Sequence, residues 1–277
     1  MTSTASAALS SEGVPRSGDW RSLFPTRREL LATLLDGSRH SGATTVDIEY
    51  QEQPGILRIT DNGSLSVGPK TLGAVRAEID RDPFIIEEMR HDLLRYAAVL
   101  ACADRVKVHT PAYSVTLRAD PFLTVKEAHP VSIATIGNSV TFVFELAKEL
   151  RTDPRTLRQE LLTLARGYAL PTHFNGLELT RPLALNQDLF VQFAHGHYLF
   201  DRNAWPREHH IFLNGLPVDR GDGKPTYIPD GFVVHLHPEI FCSAPPGHEE
   251  IVGGAITLAF LRHELQRITG TLEPLPA

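Results

Sequence analysis

The sequence predicts an α+β protein: a mixed, mainly antiparallel sheet with helices on one face, followed by a smaller α/β segment. Three observations predict it. Apolar residues recur at helical spacing around 26–37 and again over the longer stretch 83–103. Short runs elsewhere alternate apolar and polar residues and follow one another through turn-like connections, as neighbouring half-buried strands do. From about Pro182 the texture changes to strand-like runs separated by loops rich in Pro and Gly. The 277 residues suffice for one large domain or two ordinary ones, and 42% apolar with 22% charged residues is a globular composition.

Residues 1–21 are rich in Ser, Ala, Thr and Gly without periodicity and read as a disordered or loosely attached tail. Order begins at "FPTRRELLATLLDG". Thr26 is an N-cap with Glu29 three residues on, the spacing of a capping box. Leu30, Leu31, Leu34 and Leu35 form one apolar face, and Gly37 offers a stop. "TTVDIEYQ" and "GILRIT" alternate as strands joined by "EQPG". "KTLGAVRAEI" predicts a short helix and "PFIIEEMRHDLLRYAAVLACA" a long, largely buried one. "DRVKVHT", "YSVTLRA" and "NSVTFVFEL" resume strand alternation. Asp153 and Pro154 open a further helix, Pro being pre-set for the first helical position. "THFNGLELT" then closes this half with a strand. The expected boundary falls near 183–184, giving domains at 22–183 and 184–277. The second contains the strand-like "DLFVQFAHGHYLF", "HHIFLNGLPVD" and "GFVVHLHPEIF" and a final helix within "HEEIVGGAITLAFLRHELQRI".

Charge and composition exclude several classes. Twenty-seven basic against thirty-three acidic residues gives −6, which argues against broad electrostatic binding of nucleic acid. Two distant cysteines in apolar settings, Cys102 and Cys242, read as buried free thiols of a cytoplasmic protein. The start lacks the basic and apolar regions of a signal peptide, and no run of about eighteen apolar residues spans a membrane. There is no G-x-S-x-G elbow and no Walker-type phosphate loop, and Gly221-Asp222-Gly223-Lys224 reads as a polar turn. His195 with His197, and His235 with His237, each put two imidazoles on one face of a strand. Without an H-E-x-x-H motif or a spaced Cys pair, they read as surface or edge-strand histidines rather than zinc ligands.

The stretch "GILRITDNGSLSVG" admits two readings. Asn62-Gly63 is a strong two-residue hairpin signal. Alternatively, the strand delivers Asp61 into a ligand pocket, with Gly63 letting backbone approach the ligand. Three places favour the second, because together they resemble the GHKL superfamily, which includes the heat-shock chaperones of the Hsp type, MutL, gyrase and histidine kinases. "RRELLATLLDG" is similar to the chaperones' R-E-L-x-x-N-x-x-D-A helix. "LRITDNGSLS" is similar to the D-x-G-x-G box, and "LLRYAAVLACADRVKVHT" to the helix of the second box and the strand it leads into. "GNSVTFVFEL" stands where the family has a Gly-Thr before a strand, which puts Asn138 beside the threonine position. The resemblance covers roughly 24–180, in the family's order.

The resemblance implies a Bergerat-like α/β sandwich that binds ATP with magnesium. It makes Glu29 the general base, which otherwise serves as the capping-box carboxylate, and Asp61 the acceptor of the adenine amino group. Asn62 and Gly63 would line the adenine end, and Thr33 stands where the family has its magnesium-holding Asn. A single hydroxyl is a poorer ligand for magnesium than that Asn. The second box here reads Met89-Arg90-His91-Asp92-Leu93-Leu94, without the glycines whose amides would cradle phosphate. Arg90 and Arg95 would have to replace that cradle with side-chain charge. The expectation is a chaperone-like GHKL domain with weak or lost ATP binding that works mainly through protein interaction. A slow ATPase using Glu29 and Asp61, or a scaffold in a stress or DNA-repair assembly, is the alternative. The second domain would resemble the ribosomal-protein-like domain of MutL and the chaperones.

Overall fold

The computed structural model describes residues 26–65, 94–96, 98–103, 105–111, 114–118, 125–129, 139–185, 188–200, 210–218, 231–241, 243–244, 250–251 and 254–268. The segments read from sequence as a tail (1–21), a short helix (70–79) and a polar turn (221–224) lie outside them, as do Arg90, Asn138 and Cys242. The described chain is mixed α and β with two mostly antiparallel sheets, and it divides into two compact units. The first holds the residues up to Pro154 with Thr172–Leu177, and the second holds Arg155–Pro171 and the residues from Glu178 on. The division thus falls earlier than the composition change near Pro182, with one short return.

In the first unit, α1 (Arg27–His40) starts where the sequence places it. Thr26 Oγ1 accepts from the Glu29 amide at 3.2 Å, and the Glu29 carboxylate accepts from the Thr26 amide at 2.8 Å and from its hydroxyl at 2.7 Å. These contacts satisfy amide donors that the first helical turn leaves unpaired. Gly37 does not end the helix, which continues to His40. Strands β1 (Val46–Gln51) and β2 (Ile56–Asp61) pair antiparallel, Val46 opposite Asp61 and Gln51 opposite Ile56. β3 (Arg105–His109), β4 (Ser114–Arg118), β5 (Val125–His129) and β6 (Val140–Glu145) extend the sheet on the β2 side. β7 (Thr172–Phe174) joins the far side of β1 in parallel, and β8 (Leu177–Glu178) follows it, giving the order β5-β4-β3-β6-β2-β1-β7-β8.

Burial along β1 alternates strictly. Val46, Ile48 and Tyr50 are buried while Asp47, Glu49 and Gln51 are exposed, so one face is covered and the other open. Residues 94–96 and 98–102 are helical and lie on the covered face, where the Tyr96 ring meets Phe142 of β6 edge-on at 5.7 Å.

The second unit contains α2 (Pro154–Ala165), α3 (Gly254–Ile268) and a five-stranded sheet. Its order is β12 (Leu216–Pro217), β11 (His210–Leu213), β13 (Phe232–Leu236), β10 (Gly196–Phe200) and β9 (Val191–Phe193). All pairs are antiparallel except β11 with β13. Unlike the first sheet, this one is buried on both faces at its centre. Phe232, Val234 and Leu236 of β13 pack with Leu261 and Leu265, one turn apart on α3. Val233, between them, faces Leu183, Phe190 and Phe212. Burial on both faces is why "FVVHL" reads as a continuous apolar run rather than an alternation.

Candidate site at Asp61

The end of β2 answers the ambiguity in Asp61-Asn62-Gly63. No hairpin forms there, because β2 pairs with β1 on one side and β6 on the other. The residues after the strand fold back onto the loop that follows α1. Asn62 Oδ1 accepts from the Thr44 amide at 2.7 Å and the Thr45 amide at 3.2 Å, and its Nδ2 donates to Thr44 Oγ1 at 2.7 Å. The Ser64 amide donates to the Ser41 carbonyl at 3.0 Å. Gly63 passes so close to Ser41 that a Cβ would collide with its hydroxyl. Gly63 therefore serves a close approach of two loops.

Asp61 itself turns inward and is 1% exposed. Its Oδ1 accepts from the Gly63 amide at 3.0 Å. Ser38 Oγ lies 2.7 Å from Oδ2 and 3.0 Å from the Leu34 carbonyl. With one hydroxyl proton to give, the closer and charged acceptor takes it. The remaining partner of Oδ2 is the Arg95 guanidinium, which forms a direct ion pair through Nη2 and also lies 3.4 Å from Ser38 Oγ. Arg95 is 0% exposed. Its Cζ stands 4.9 Å from the centre of the Phe142 ring, within cation–π range. Its stem crosses α1 at Gly37, where a Cβ would collide with Cγ and Cδ. Gly37 therefore makes room in mid-helix for the guanidinium side chain, where the sequence suggested a stop.

The residues singled out from sequence thus part company. Asp61, Asn62 and Gly63 cluster with α1. Thr33 is buried within α1. Glu29 sits in the first helical turn with its carboxylate engaged by Thr26, nine residues before Ser38, or about 13 Å along the axis at 1.5 Å per residue. Arg95, expected at the phosphate end, lies on Asp61 instead. Ser38 was not anticipated, and the only signal for it is a small polar residue two turns beyond the Leu30–Leu31 face.

The histidines serve separate ends. His235 Nε2 lies 2.7 Å from the Leu183 carbonyl, and its ring stacks on Phe212 at 5.0 Å. Burial pushes its pKa down to about 4; the bond to Leu183 pulls the other way, and the neighbouring His197 adds to the lowering. His195 Nδ1 stands 3.4 Å from Glu264 Oε2, and His237 Nδ1 accepts from the Glu239 amide at 3.3 Å. In the first unit, His109 Nδ1 and Ser114 Oγ are 2.9 Å apart, and burial, then Lys107 and Arg58, hold the imidazole below its usual pKa. Among the described residues no three His, Cys, Asp or Glu side chains are grouped as a metal site would require. No helix among them is long and apolar enough to cross a membrane. No protein-family model and no curated protein matches the chain.

Proposed function

We propose that the first unit is a divergent GHKL-type domain whose adenine position is held by the chain's own Arg95, and that it works through protein interaction rather than ATP turnover. The observation that supports this reading is that both oxygens of Asp61 are already engaged by the chain's own donors. Its oxygens already accept from the Gly63 amide, the Ser38 hydroxyl and the Arg95 guanidinium. An adenine amino group would replace the ion-paired guanidinium with an uncharged donor to the same carboxylate, a weaker interaction even before the guanidinium is displaced. Releasing one partner of a buried pair costs roughly 3–5 kcal/mol more. The absence of glycines in 89–94 adds to this by removing an amide cradle for phosphate. On the second unit, the exposed apolar Leu189 and Val191, before and on the strand β9, support the interaction reading.

Calorimetric titration of the full chain with ATP and magnesium, then with ADP, tests the reading. The expected result is no saturable heat at sub-millimolar nucleotide and no preference between the two. Micromolar, magnesium-dependent binding that prefers ATP overturns it.

A further inference from the structure

Separate parts of the first unit converge on one guanidinium. α1 contributes Ser38 as donor to the carboxylate and Gly37 as a floor without a side chain. The end of β2 contributes Asp61, oriented by the Gly63 amide, and β6 contributes the flat ring of Phe142. Arg95 fills this space, yet among the described residues only its Nη2 is engaged, while the enclosed Nε and Nη1 have no hydrogen-bond partner there. A guanidinium has five N–H donors, and buried polar groups are as a rule satisfied. A charge enclosed this fully and held through one nitrogen is bound as a ligand is bound, by shape, ring face and a single acceptor.

We infer that Asp61, Ser38, Gly37 and Phe142 form a binding site for a planar N–H donor of the guanidinium or amidinium type, and that Arg95 is its built-in occupant. The inference concerns the same site as the proposed function and rests on that reading for its wider meaning: the residue at position 95 decides whether the site is open. Shortening residue 95 leaves the acceptor, the floor and the flat wall in place and uncovers a buried carboxylate that favours an external cation of the same shape.

The test uses Arg95→Ala and Arg95→Met in the full chain with methylguanidinium as probe, read by calorimetry and thermal unfolding. Tetramethylammonium serves as control, carrying the charge without N–H groups. Methylguanidinium is expected to bind Arg95→Ala saturably at millimolar concentration, at least tenfold more tightly than it binds the unaltered chain. It should raise the melting temperature of both variants by roughly 2–8 °C at saturation, because a ligand that binds only the folded state stabilises it. Tetramethylammonium should do neither, and Asp61→Asn combined with Arg95→Ala should abolish the effect. Should Arg95→Ala fail to fold alone, refolding in methylguanidinium is expected to recover it, and Arg95→Met keeps the apolar stem as a second background. Equal effects of the two cations, equal binding by the unaltered chain, or recovery of neither variant overturns the inference. Nucleotide binding by the unaltered chain would instead overturn the proposed function, so the two failures are distinguishable.

Discussion

Asp61 and Arg95 carry opposite charges at positions where each alone would be costly to bury, and both are withdrawn from water. His235 solves a similar problem differently. Among the described residues no carboxylate pairs with it, and its neutral form is held by stacking on Phe212 and by donating to Leu183. Because the folded-state pKa is lowered to about 4, His235 stays neutral while the unfolded chain takes up a proton near 6.5. The unfolded state therefore binds more protons between these values, and stability falls as pH drops through that window. Urea unfolding at pH 7 and pH 5 should show a loss roughly 2 kcal/mol larger for the unaltered chain than for His235→Gln. An equal loss in both would mean that His235 is accessible to protons in the folded state.

At the scale of elements, three Asn-Gly pairs divide by context. Asn175-Gly176 and Asn214-Gly215 both adopt positive φ, 49° and 77°, then 57° and 79°, as tight hairpin turns require. Neither Asn62 nor Gly63 is in that conformation, since β2 is flanked on both sides and the chain must leave the sheet. α1 offers one test toward each end. Thr26→Ala removes the cap and should cost about 1 kcal/mol, read from the urea midpoint. In an exposed helix interior Gly→Ala stabilises by about 1 kcal/mol. Gly37→Ala should instead destabilise by roughly 1–3 kcal/mol, because the new methyl meets the Arg95 stem. A stabilised Gly37→Ala protein would place the Arg95 stem away from α1.

Across the whole molecule, two units carry two kinds of sheet. The first keeps an open polar face, and the second buries both faces of β13. His197 and His235 lie opposite each other in the β10–β13 register, but His235 is turned into the core and committed to Leu183. That bond leaves only Nδ1 for a metal, and among the described residues no group of His, Cys, Asp or Glu completes a zinc site around it. Elemental analysis of protein purified without a histidine tag should find well under one zinc per chain. Stoichiometric zinc lost in His235→Ala would mean that His235 ligates a metal.

The sequence by itself determined the α+β class, the capped start of α1 and the strands β1 to β4 and β6, whereas "THFNGLELT", read as one strand, is two strands split by the Asn175-Gly176 turn. The class, the cap and those strands follow from spacing and propensity within a few residues, which act before any distant contact forms. β5 was missed, its segment Val125–His129 carrying Lys, Glu and His against few apolar residues. Only the tertiary structure decided that β7 lies parallel to β1, that Gly37 yields to a side chain instead of ending its helix, and that Asp61 faces Arg95, 34 residues away. The resemblance carried by Asp61-Asn62-Gly63 marked Asp61 as a candidate acceptor but left its partner open. A buried carboxylate binds whichever donor the packed chain brings within reach, and that depends on how α1 and the helical residues near 95 pack around Asp61 and Phe142 of the sheet.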